Sequence, residues 1–153
     1  MVKIREVSST VINAPRETVF QILTQGDRVA TAGTVWEKRP LVQEGPERVG
    51  TLRGSFQGFR FSQESLLSVK PLERVEVKPA RRSAGGHEAW YVLTPVNGGR
   101  ETRLTHGAAW GPQNLVEEVV GRLRGRNELR RAVEQELATI KTLAEKVERP
   151  PEF

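Results

Sequence analysis

Apolar and polar residues alternate along the middle of the chain and recur at helical spacing on either side of it. Residues 2–12, VKIREVSSTVI, are rich in Val, Ile, Ser and Thr and predict a strand. Ala14-Pro15 ends it, because proline fixes φ, lacks an N–H and pushes the preceding residue toward extended geometry. The same proline suits the first turn of a helix. Glu17 then places an anion at the positive end of the helix dipole, and Val19, Phe20 and Leu23 recur at helical spacing. Gly26 and Asp27 close this helix, and a short helical turn is expected near residues 27–32.

From there the period is that of strands, expected near 34–43, 50–57, 60–69, 73–80, 87–95 and 101–110. Their breaks are EGPER, QG, KPLE, RRSAGG and NGG, and the spacing predicts a meander of antiparallel hairpins. A turn centred on Gly98-Gly99 sets Leu93 opposite Leu104, Tyr91 opposite His106, Ala89 opposite Ala108 and His87 opposite Trp110. Side chains alternate along a strand, so those eight share a face. They are the more apolar set and are assigned to the inside. Glu88, Trp90, Thr94, Arg103 and Thr105 fall outside, where Trp90 and Val92 spoil an otherwise polar pattern.

Beyond Pro112 the period is helical again, as far as Val147. Leu115, Val119, Leu123, Val133, Leu137, Ile140, Ala144 and Val147 form one stripe, which such a helix can bury only by lying along the sheet. The run GRLRGRNELRR, residues 121–131, carries five arginines, and between Leu123 and Val133 the stripe holds only Leu129. Gly121 and Gly125 each weaken a helix by up to about 1 kcal/mol and are read as a bend or a close approach to the sheet.

Composition adds limits. The chain has 153 residues, an ordinary soluble balance of 37% hydrophobic and 28% charged, and no cysteine. One domain is expected over 1–147, with 148–153 a frayed tail behind Pro150 and Pro151. Disulfides, thiol nucleophiles and cysteine-ligated zinc are excluded. No apolar run suits a membrane span and no signal segment opens the chain, so the cytoplasm is expected. A net charge of +5 gives a basic surface able to draw in nucleic acid or anionic lipid.

The order strand, helix, six strands, long helix resembles the SRPBCC superfamily, the helix-grip fold of START-like and polyketide cyclase-like proteins. The resembling residues are Ile12, Ala14-Pro15, Val19 and Phe20, then Val49-Gly50, the hairpin TPVNGGRETRL and the terminal helix. The resemblance implies an α+β fold: a curved, seven-stranded antiparallel sheet wrapped around the long C-terminal helix, with one or two short helices after the first strand. It also implies a cavity between sheet and helix. Binding or carrying a small hydrophobic or amphipathic ligand is the function it favours. A polyketide cyclase/dehydratase-like enzyme is the alternative, and a toxin-like or chaperone-activator-like module for protein or RNA is a third.

Cavity-lining residues are expected to be Tyr91, Leu93, Leu104, His106, Ala108, Trp110, Phe56 and Leu123, with Arg126 at the entrance. Arg130 is a second candidate there. For the enzyme, His106 and Tyr91 are the acid–base candidates, since a histidine is poised near neutral pH. No carboxylate is placed by the pattern to orient His106. His87, beside glycines, reads as a surface histidine at a loop edge. No third ligand joins the two histidines, so no metal or cofactor is expected.

Overall fold

The computed structural model describes residues 4–24, 28–30, 34–38, 47–56, 59–80, 86–111 and 126–148. The strand β1 (Ile4–Ile12) turns at Asn13 and Ala14 and passes into α1 (Arg16–Thr24). The Pro15 carbonyl accepts the first helical N–H groups, from Thr18 and Val19. Ala14 is buried, and its carbonyl accepts the hydroxyl of Thr102, a residue 88 positions further on, at 2.8 Å. Val19 and Leu23 carry the buried side of α1.

Seven further strands follow: β2 (Arg28–Ala30), β3 (Thr34–Lys38), β4 (Glu47–Phe56), β5 (Phe59–Lys70), β6 (Arg74–Pro79), β7 (Gly86–Val96) and β8 (Glu101–Gly111). All pair antiparallel, in the order β1-β8-β7-β6-β5-β4-β3-β2. The described sheet thus has eight strands where seven were expected. The extra one is β2. Its three residues pair with Glu37, Trp36 and Val35 instead of forming the helical turn expected at 27–32. A pairing partner satisfies backbone groups that an isolated helical turn leaves open.

The β7–β8 hairpin has the expected register, with Leu93 on Leu104, Tyr91 on His106, Ala89 on Ala108 and His87 on Trp110. All eight side chains are buried. The turn is Asn97–Gly99. On the outer face, Trp90 lies across its partner Gly107, where an added Cβ would stand 2.2 Å from the indole Cζ2. The Arg5 guanidinium stacks over the same indole, 4.6 Å from its centroid. Trp90 breaks the polar pattern because it fills the place of a missing side chain.

The long helix α2 (Arg126–Glu148) is described over 23 residues, roughly 35 Å. The earlier positions of the expected helix, with Leu115, Val119, Leu123, Gly121 and Gly125, lie outside the described residues. Leu129, Val133, Leu137, Ile140 and Ala144 are buried against the sheet, each large one contributing about 1.5–3 kcal/mol. Val147, assigned to the same stripe, is 66% exposed, one turn past the last buried position. Helix α2 runs along β1 and β8, and α1 packs beside it. Lys141 donates to the Val11 carbonyl at 2.6 Å and Glu145 accepts the Asn13 N–H at 3.5 Å. These side chains cover the open edge of β1, which would otherwise invite another strand. No described helix is long and apolar enough to cross a membrane.

Candidate functional site

The inner face of the sheet is apolar over most of its described area. Leu52 of β4, Leu67 of β5, Val75 and Val77 of β6, and Leu93 and Leu104 of the last hairpin are all buried. One polar cluster interrupts it directly beneath α2. Tyr91 and His106, opposite each other on β7 and β8, stack with ring centroids 4.0 Å apart and 8° between planes. Both meet Glu136 of α2: the Tyr91 hydroxyl donates to Glu136 Oε1 at 2.9 Å, and His106 Nε2 lies 3.2 Å from the same oxygen. The other imidazole nitrogen, Nδ1, is 3.0 Å from the Trp90 carbonyl.

Tyr91 and His106 are sealed from solvent, whereas the Glu136 side chain keeps 17% exposure. Burial, then the charge of Glu136, then the hydrogen bond to it, push the Tyr91 phenol well above its ordinary pKa. The phenol is therefore a donor throughout the physiological range. A stacked histidine and a hydrogen-bonded carboxylate form the kind of pair that moves a proton.

Glu136 is the residue that sequence reasoning missed, and it corrects the expectation that no carboxylate orients His106. Its signal was its position: three residues after Val133 and four before Ile140, a charge inside the apolar stripe. His87 also differs from expectation. It is 1% exposed, because its register with Trp110 holds it on the inner face.

A second polar feature surrounds His87. Strand β6 stops at Pro79, so among the described residues β5 and β7 have no strand between them beyond that point. The Gln63 carboxamide spans the gap: Oε1 accepts the His87 N–H at 3.0 Å, while Nε2 donates to the His87 carbonyl at 2.9 Å and to Ser65 Oγ at 2.8 Å. It replaces one peptide unit of the missing strand. Gly86 permits this, since a Cβ there would stand 2.2 Å from Gln63 Oε1.

The sequence-predicted lining therefore divides. Tyr91, Leu93, Leu104, His106, Ala108 and Trp110 do share the inner face, each 7% exposed or less. Arg126 lies at the start of α2 with its side chain 62% exposed, 3.7 Å from Glu6 of β1; Arg130, one turn on, meets the same carboxylate at 3.4 Å. Phe56 ends β4, but its side chain, like Leu123 altogether, lies outside the described residues. Among the described residues, no three metal-ligating side chains converge.

No protein-family model matches the sequence, and no curated protein does. Solved structures do match in fold. TTHA0849 from Thermus thermophilus superposes with a TM-score of 0.69 at 13% identity, over 97% of this chain and 100% of that one. The Zhui aromatase/cyclase from Streptomyces sp. R1128 gives 0.63 at 14% identity, over 97% of both chains. This chain has the helix-grip fold. Ara h 8.0201 shares it more distantly, with a TM-score of 0.57 at 10% identity over 95% of this chain and 97% of that one.

Proposed function

We propose that the chain binds a small apolar or amphipathic molecule between the sheet and α2, with the Tyr91–His106–Glu136 cluster meeting its polar group. The observation that supports this most is the composition of the inner face: a largely apolar surface with a convergent set of polar atoms under the helix. Small-molecule sites are usually built that way.

A panel of fatty acids, sterols and aromatic polyketides tests the proposal by thermal shift and native mass spectrometry. A bound compound at a hundred times its Kd stabilises the fold by about 2.7 kcal/mol, a rise in Tm of roughly 5–10 °C. No shift and no adduct across the panel would reject it.

The pairing of His106 with Glu136 favours a second reading, an acid–base enzyme acting on such a molecule. An aromatase/cyclase stands among the structural neighbours. In that case Glu136→Gln and His106→Asn abolish turnover of a reduced or unreduced polyketide while the ligand-induced rise in Tm persists. Turnover unchanged in both variants would rule out this pair as the acid and base, and no turnover by the wild type leaves binding alone.

A further inference from the structure

The hydrogen bonds around His106 fix a proton count. The Trp90 carbonyl can only accept, so a bond at 3.0 Å requires hydrogen on Nδ1. Glu136 Oε1, 3.2 Å from Nε2, already accepts the Tyr91 hydroxyl. A neutral imidazole with hydrogen on Nδ1 turns a lone pair toward that carboxylate. The other neutral tautomer turns a lone pair toward the Trp90 carbonyl instead. Neither keeps both contacts beside an ionised Glu136. Both survive only when the pair holds one additional proton, either as imidazolium facing carboxylate or as carboxylic acid facing imidazole.

We infer that His106 and Glu136 share a bound proton, and that this proton clasps α2 to the β7–β8 hairpin. The clasp is central: Glu136 sits between Val133 and Ile140 on the buried stripe, and the cluster is the polar tie between α2 and the middle of the hairpin's inner face. The described groups around the ring are mostly uncharged. Ser8 of β1 lies opposite His106, and Leu104 and Ala108 flank it on β8. Val75 of β6 lies beside Tyr91. The nearest other described carboxylate on this face is Glu6, opposite Ala108, which is engaged by Arg126 and Arg130. Removing the shared proton sets two lone pairs against each other beneath the helix, and the helix is pushed off the sheet. This inference concerns the cluster itself and holds whether or not a ligand binds beside it.

Two measurements on the intact chain test it. The first is the imidazole nitrogen resonances of the 15N-histidine-labelled protein, with His106 told apart from His87 by the His87→Gln variant. His106 is expected to carry hydrogen on Nδ1, with Nε2 protonated or strongly hydrogen-bonded, up to the pH at which α2 loosens. A neutral ring with hydrogen on Nε2 alone at every pH overturns the inference. The second is Tm across about pH 5–9, the range in which histidine pairs exchange protons. Wild type is expected to lose roughly 5 °C as the proton is removed. Glu136→Gln is expected to lose much less, because a carboxamide has no proton to give up in that range. Parallel curves for the two proteins would refute the clasp.

Discussion

Tyr91 is the only tyrosine in the chain, so its ionisation can be watched alone. Its phenol is held neutral by burial and by Glu136. The folded pKa lies above the unfolded value of about 10, so the phenol's contribution is whole below about pH 10 and is lost as the pH climbs through the raised value. Tyrosinate absorbance is thus expected to appear together with unfolding, in one alkaline step. A separate tyrosinate rise in the still-folded chain would contradict this. Tyr91→Phe removes a hydrogen bond to a charged group and is expected to cost about 1.5–3 kcal/mol in urea unfolding at neutral pH. Two of the cluster's three residues could be read from the sequence, since strand parity alone brings Tyr91 and His106 together inside. Glu136 could be noticed as a charge in an apolar stripe, but not aimed. Which strand pair lies under a given turn of a helix depends on how the two surfaces dock, and that is set by the whole core.

At the scale of elements, the last hairpin was legible because a short turn and a strict alternation leave only one register that buries the apolar face. β2 was not. Three residues, Arg28-Val29-Ala30, are too few for a period to distinguish strand from helical turn, and only pairing with β3 decides. The end of β6 was equally hidden. Nothing in VKPARRSAGG says that the next strand will lose its neighbour, or that Gln63 from another strand will take the place. The seam this creates between β5 and β7 relies on one carboxamide. Gln63→Leu keeps the volume but withdraws its bonds to the His87 backbone, and each unmet buried group costs about 1–3 kcal/mol. Hydrogen exchange at the His87 amide is expected to accelerate toward the rate of global opening, with the Tyr91 amide little changed. Equal protection of His87 in variant and wild type would show that Gln63 does not hold the seam.

For the whole molecule, α2 is part of the core and not a lid laid over a finished sheet. Five of its residues are buried in the same cluster as Ile4, Ile12, Leu93 and Leu104. Ending the chain before Arg126 is therefore expected to leave no cooperative unfolding transition, with near-UV dichroism lost and dye-binding apolar surface gained, as in a molten globule. A sharp transition in the shortened chain would make the helix an accessory. The edge of the sheet carries a further consequence. Ile4 and Ile12 of β1 pair with Trp110 and Thr102 of β8, so the first strand of this sheet waits for the last. At about 5–20 residues per second, a nascent chain spends roughly five to twenty seconds with that first strand unmatched outside the ribosome. Over that interval Arg5, Glu6 and the serine pair SS at 8–9 keep the segment polar enough to wait.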